Sequence, residues 1–302
     1  MGRRSDILIM TAMKKFYYLL SALLIAFTAC GTDGKDNNSD DPWEWNKPGE
    51  SNPEDDGTVY YPKAEGSVRI MSYNVGAFSK FLSNSTEMVA AMILEAEADV
   101  VGLNELDSCN TRHNVNQVKA LAAALGGWKW TFGRAMPYRE GTYGNGVVVP
   151  KNTDIIDSYT VALPKGTGSE PRSIAVVETP DYILGAAHLD HTSKESVLGQ
   201  IEVVNAWGQT FKGSSKPVFF CGDMNSKPGS AAINSILTKW EMLSSTENSA
   251  PSNAPTSCID FIFRYRDAAS VKVTGTHTMT RFHNGDVTKA SDHLPVYADV
   301  VF

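Results

Sequence analysis

The chain repeatedly ends an apolar, β-branched run on a polar residue able to hold a metal or move a proton, and this recurrence constrains its fold more than any other feature. Asn74 closes Ile70-Met71-Ser72-Tyr73-Asn74, and Glu105 closes Val100-Val101-Gly102-Leu103-Asn104-Glu105. Asn145 opens Asn145-Gly146-Val147-Val148-Val149, and His188 and Asp190 follow Ile183-Leu184-Gly185-Ala186-Ala187. Asp223 and Asn225 follow Val218-Phe219-Phe220-Cys221-Gly222, while Asp260 interrupts Cys258-Ile259-Asp260-Phe261-Ile262-Phe263. Apolar runs this short suit buried strands better than helices. One polar residue at a strand end is ordinarily a turn or cap. Its return at strand after strand points to a shared site, because ligands and catalysts in α/β folds gather beyond strand ends.

Strands are expected at 68–75, 99–103, 128–132, 146–149, 174–178, 182–187, 217–220, 259–263, 271–273 and 294–301. Near-helical apolar spacing predicts helices at 86–96, 116–125 and 193–211, the second stopped by Gly126-Gly127. Alternation of strands and helices is the pattern of an α/β domain, here residues 66–302, and no internal repeat is visible.

What precedes that domain is of another kind. Lys14-Lys15 opens a basic segment, residues 16–27 are apolar, and Thr28-Ala29-Cys30 ends the run on small residues, as in an export signal. The run is too short to span a bilayer comfortably. Cys30 after Thr-Ala resembles a bacterial lipobox, with Phe27 where an aliphatic residue is preferred. We therefore expect an exported cell-envelope lipoprotein, periplasmic or surface-facing, attached to the membrane at Cys30, with residues 1–12 an upstream extension. Residues 31–65 carry three lysines against ten acidic residues and many Pro, Asn, Gly and Ser. Such a segment buries too little apolar area to offset chain entropy and reads as a disordered acidic tether; Trp43 and Trp45 are its apolar exceptions.

The formal charge of −7 belongs mostly to that tether. The domain lacks the basic excess expected of a protein that grips duplex nucleic acid through its phosphates. Cys109, Cys221 and Cys258 show no zinc-type spacing, and the last two sit in apolar runs, as small buried hydrophobes do.

Ser291-Asp292-His293-Leu294-Pro295-Val296, near the C-terminus, leads into an apolar strand. A histidine titrates near neutral pH and can accept a proton from water when a carboxylate fixes its tautomer; the alternative is an Asp-His pair facing solvent at a strand edge. Asp260 is the available partner. Placed between Ile and Phe, it must be paired if buried, since an isolated buried charge costs several kcal/mol, unless it lies on an exposed strand face.

Met71-Ser72-Tyr73-Asn74, Gly102-Leu103-Asn104-Glu105, Tyr143-Gly144-Asn145-Gly146, Glu170-Pro171-Arg172, His188-Leu189-Asp190-His191, Gly222-Asp223-Met224-Asn225, Ile259-Asp260-Phe261-Ile262 and Ser291-Asp292-His293-Leu294-Pro295 resemble, in order and spacing, the motifs of the endonuclease/exonuclease/phosphatase superfamily. The resemblance covers essentially all of residues 66–302. It implies a two-sheet α/β sandwich with helices on both outer faces, as in deoxyribonuclease I, and Mg2+-assisted hydrolysis of a phosphate ester, with Mn2+ as an alternative ion. By similarity Glu105, Asn74 and Asp292 are the metal-site residues, and hard oxygen ligands suit Mg2+. His293 is the water-activating base and Asp260 its orienter, while Asp223 and Asn225 position water and phosphate. His188 binds phosphate or protonates the leaving oxygen. Arg172 and Asn145 contact the phosphate, and Asp190 and His191 stand just behind it or touch it.

His188-Leu189-Asp190-His191 resembles the branch of small phosphodiesterases and phosphatases. Val197-Leu198 stands where that branch usually has Ala-Arg, and Asn104 replaces the more frequent Gln. The resemblance therefore leads to a monomeric enzyme acting on a small phosphodiester or phosphomonoester, such as a sugar phosphate, an inositol phosphate or a phospholipid head group. The alternatives are a secreted or surface nuclease and, in another class, a non-catalytic surface binding module on the same fold. His113, His277 and His283 match no motif position.

Overall fold

A computed structural model describes residues 56–302 of the protein. The export-like segment, Cys30 and the stretch bearing Trp43 and Trp45 lie outside the described residues.

Two mixed six-stranded sheets stack face to face. In the first the spatial order is β11-β12-β1-β2-β4-β3, with β1 Val68–Asn74, β2 Val100–Ser108, β3 Lys129–Tyr138, β4 Gly141–Val149, β11 Lys272–Thr278 and β12 Val296–Val301. The second runs β5-β6-β7-β8-β10-β9, with β5 Asp157–Leu163, β6 Arg172–Glu178, β7 Ile183–Ala187, β8 Val218–Asp223, β9 Trp240–Met242 and β10 Asp260–Tyr265. Each sheet has one parallel pair, β1 with β2 and β7 with β8.

The strand alternation sorts side chains into layers. Ile70, Val100, Val147, Leu184, Phe219, Ile262 and Ala298 meet between the sheets. Their odd-even neighbours Met71, Val101 and Leu103 face outward beneath helices α1 (Thr86–Glu95) and α2 (Gln117–Ala124). On the opposite side Ile174, Val176, Phe220 and Phe263 lie beneath α3 (Lys194–Gln209) and α4 (Ala231–Ile236). A short α5 (Val287–Ala290) precedes β12. Fully burying each such aliphatic or aromatic side chain contributes about 1.5–3 kcal/mol. Close approach of the sheets requires Gly102, where a Cβ would overlap Cys221 Sγ and lie 3.0 Å from Ala186 Cβ. Burial raises the Cys221 thiol to about 12, and Cys258, also buried, to about 11, as inert core residues should behave.

Local capping agrees with the sequence. The Asn116 side chain accepts from Lys119 N at 3.0 Å to start α2, and Gly126 and Gly127, at φ +80° and +87°, end it. Ser193 Oγ accepts from Ser196 N at the start of α3, whose Val197, Ile201 and Val204 repeat at helical spacing on its buried face. The α/β sandwich with helices on both outer faces is the architecture the motifs imply.

Candidate active site

The carboxyl ends of both parallel strand pairs converge, so residues far apart in sequence meet across the two sheets. Asn74 and Asn104 are register partners at the ends of β1 and β2. The Asn74 amide donates to Glu105 Oε1 at 3.1 Å and, across the sheets, to Asp223 Oδ2 at 3.2 Å. Asn104 Oδ1 accepts from Asp223 N at 2.9 Å. A bulge in β2 between Leu103 and Leu106 places Glu105 at φ +59°, which turns its carboxylate out of the strand's alternation toward the cleft.

Asp223 and Asp260 are directly opposed on β8 and β10. Asp260 is 1% exposed, so the solvent-facing alternative for it does not apply. Its Oδ2 accepts from Ser249 Oγ at 2.6 Å and faces His293 Nδ1 at 2.8 Å, leaving Nε2 directed at the cleft, 3.7 Å from Asp223 Oδ2. His293 is itself 8% exposed, not a solvent-edge residue. Burial pushes Asp223 up to about 7, reinforced by the neighbouring Asp260 charge. Burial works against a charged His293, yet the Asp260 carboxylate, followed by Asp223 and Asp292, overcomes it and raises the imidazole to about 10. Asp223 and His293 are thus both drawn toward protonation. In the substrate-free site the proton belongs on the imidazole, which has three acids around it.

His188 lies on the other side of Asp223, with Nε2 3.4 Å from Asp223 Oδ2. Burial, then the Arg172 guanidinium, holds it well below the usual imidazole range, so it is neutral near neutral pH and offers a hydrogen bond in place of a spare proton. Arg172 Nη1 is 3.1 Å from His188 Nδ1, and Nη2 is 3.2 Å from both His191 Nδ1 and Glu170 Oε2. Asn225, at φ +47°, sets its amide nitrogen 2.9 Å from His188 Nε2. His188 therefore has donors beside both ring nitrogens, and the buried Arg172 Nε has no partner. The Asn225 amide also donates to the Leu189 carbonyl at 2.9 Å, so the unmet demand is that of Arg172 Nε, which an anionic oxygen could satisfy.

These groups enclose a cleft of about 310 Å3 lined by Glu105, Arg172, His188, Asp223, Asn225 and His293, with Tyr143, Glu170 and His191. Asp292, next to His293 in sequence, is not among the lining residues. Asn145 sits behind the cleft, its amide used on Asn104 and the Ser173 carbonyl. Asp190 is also outside the first ring: its carboxylate accepts from Ser169 N, Thr192 N and Oγ1, and Ser193 N, and so holds the loop that carries His191. His113 binds Asp107, His277 binds Glu247, and His283 Nε2 reaches the Thr58 carbonyl, all away from the cleft.

Two places could take a cation. Asp223, Asp260 and His293 bring ligand atoms within 4.8 Å of one another, and Asp260 Oδ1 is buried without a partner. Glu105 and Asp292 converge on a second point, marked by the Lys80 ammonium, 3.6 Å from Glu105 Oε2 and 2.9 Å from Asp292 Oδ2. An all-oxygen, partly exposed pair that already gathers a cation fits Mg2+ or Mn2+ with retained waters. Asn74 contributes there by holding Glu105. Ser249 and Lys80 are additions that no strand-end motif announces.

Acids, imidazoles and a guanidinium gathered where two stacked sheets end place the protein in the deoxyribonuclease I-like class of α/β sandwiches. More narrowly, residues 71–293 match the Endonuclease/Exonuclease/phosphatase family, to which the chain belongs. Among solved structures it is similar to the mannosyl-6-phosphatase of Bacteroides thetaiotaomicron VPI-5482, at 19% identity and TM-score 0.65, with 78% of this chain and 100% of that one covered. An endonuclease/exonuclease/phosphatase from Bacteroides vulgatus aligns at 20% identity and TM-score 0.64, covering 78% and 98%. The human nocturnin catalytic domain with bound sulfate aligns at 16% and 0.60, covering 78% and 94%. No curated protein matches the sequence.

Proposed function

We propose that the protein hydrolyses a small phosphate monoester or diester, a sugar phosphate being the best-supported class. The observation that carries this reading is the His293–Asp260 pair, with Nδ1 fixed at 2.8 Å and Nε2 turned to the cleft. Asp260 keeps a proton on Nδ1, so that once Nε2 is free it accepts a proton from water, and the resulting imidazolium is stabilised by the buried carboxylate. Asp223 helps hold that water. Arg172, His188 and Asn225 form the donor wall that binds and orients the phosphate oxygens. Glu105 and Asp292 would hold a divalent cation, which when bound would neutralise phosphate charge.

Support for a small, hydroxylated substrate comes from the cleft's size and from a neighbouring cavity of about 560 Å3 that shares His191 and Asn225. Thr192, Ser226, Lys194 and Lys227 give that cavity polar and cationic groups, and Val197, Leu198 and Ala231 give it apolar ones. The absence of basic surplus in residues 66–302 weighs against duplex DNA, and one structural neighbour is a mannosyl-6-phosphatase.

The test is turnover of sugar phosphates, inositol phosphates, sphingomyelin and plasmid DNA with Mg2+, with EDTA, and by His293→Ala. Sugar phosphate turnover should stop in EDTA, and His293→Ala should lower kcat by about 10²–10⁴ with little change in KM. Turnover in EDTA would refute the metal assignment, an unchanged kcat the base, and DNA as the preferred substrate the substrate class.

A further inference from the structure

The turn after β1 delivers a lysine to the point where the metal-site carboxylates meet. Gly76, Ala77 and Phe78 have φ of +53°, +54° and +54°, a run of left-handed residues that reverses the chain tightly. It is pinned by Gly76 N donating to Asn74 Oδ1 at 3.1 Å, by Gln117 Nε2 donating to the Ala77 carbonyl at 2.6 Å, and by Phe78, 1% exposed in the core beneath α1 and α2. The Lys80 side chain then folds back over Gly76, where a Cβ would strike its Cγ and come within 2.8 Å of its Cε. Its ammonium ends 2.9 Å from Asp292 Oδ2 and 3.6 Å from Glu105 Oε2. A rigid turn, a residue without a side chain under the lysine stem, and two acids, Glu105 on β2 and Asp292 in the bend before β12, thus cooperate to hold one ammonium in one place.

We propose that Lys80 is a tethered counter-cation: it holds Glu105 and Asp292 together while no metal is bound and must be displaced for a divalent ion to enter. This rests on the reading that Glu105 and Asp292 hold the metal. An ion ligated by those two carboxylates and the ammonium now contacting them would be like charges sharing the same oxygens, and they repel at such separations. The lysine stem is half-exposed and has several rotatable bonds, so it can swing to solvent without disturbing the turn. Lys80 therefore sets how much metal the enzyme needs, weakening cation binding while keeping the unloaded acids from repelling each other.

The experiment is calorimetric titration of Mn2+ into the purified full-length protein and its Lys80→Gln and Lys80→Met variants, with melting temperatures in EDTA and in saturating Mg2+. Both variants should bind Mn2+ about tenfold more tightly, a difference of about 1.4 kcal/mol, and should melt below the wild type in EDTA but with it in Mg2+. Equal or weaker binding by the variants overturns the proposal while leaving the metal site standing. No Mn2+ binding by any of the three proteins removes the metal reading and this inference with it.

Discussion

Replacing Asp260 by Asn isolates the charge behind His293, because the two side chains have nearly the same shape. Asp260 Oδ2 receives both the Ser249 hydroxyl and the His293 Nδ1 proton, while Oδ1 is buried without a partner. If Asn turns its NH2 toward His293, Nδ1 must become the acceptor and the proton moves to Nε2, where it blocks proton uptake from water. If it turns its oxygen that way, the NH2 is buried without an acceptor at about 1–3 kcal/mol, and the carboxylate charge is gone in either case. At 2.8 Å and an effective dielectric of about 20, that charge attracts an imidazolium by about 6 kcal/mol, a ceiling before the burial that opposes it. We therefore expect kcat to fall by about 10³–10⁴, or about 4–5.5 kcal/mol of barrier, with KM little changed. Without Asp260 burial dominates, so the His293 pKa drops from about 10 and the acid limb of the pH–rate profile moves to lower pH. Steady-state kinetics across pH, beside a melting curve to confirm folding, would decide. A fall of less than tenfold with an unmoved limb would refute the orienting role.

Away from the cleft, Asp299→Ala should lower unfolding free energy in urea by about 3–5 kcal/mol, because it strands Arg69, itself 1% exposed and bound at Nε and Nη2 to the two Asp299 oxygens at 2.7 Å; a loss under 1 kcal/mol would contradict this. Asp107 is held down to about 2: burial opposes its charge, but hydrogen bonds from His113 and Arg112 outweigh it. Its folded pKa lies below the ordinary 3.8, so its contribution of roughly 2 kcal/mol is complete above that pH and is lost as pH falls toward 2. Urea unfolding between pH 5 and about 2 should be shallower in pH for Asp107→Asn, and parallel curves would exclude the linkage.

The sandwich was legible because its inner strands, such as β1, β2, β6, β7, β8 and β10, are buried on both faces and read as largely unbroken apolar runs. β5 escaped that reading: Asp157–Leu163 is an edge strand, half exposed along its length, so its Asp-Ser-Tyr-Thr pattern looks like a loop. β9 and α4 are too short for any period to appear. In the cleft, Asp260 stood out because an acid between Ile and Phe demands a partner, and His293 is that partner. Ser249 gave no such signal. It lies in a loop of small polar residues, and its bond to Asp260 exists only in three dimensions. Lys80 was invisible for a different reason, since its position depends on three successive left-handed residues of which only Gly76 suggests that conformation. Glu105 was found by its motif, but its bulge was not, there being no glycine at the position that needs φ > 0.

The walls of the cleft differ in charge and in hydrogen-bonding demand, and under the proposed function that difference favours one orientation of a phosphate. On one wall Arg172, Asn225 and a neutral His188 present nitrogen donors, and the buried Arg172 Nε has no acceptor. On the other, Asp223, Asp260 and Asp292 surround an imidazole that would otherwise be neutral. Phosphate oxygens facing the acids with no cation between would meet carboxylates across a poorly screened gap, whereas facing Arg172 they would complete a donor already buried at a cost. Under the proposed function the substrate would enter with its charge toward Arg172, leaving the space beside Asp223 and His293 Nε2 for water. On that reading Arg172→Glu, which inverts the charge of the donor wall, should abolish binding and turnover together.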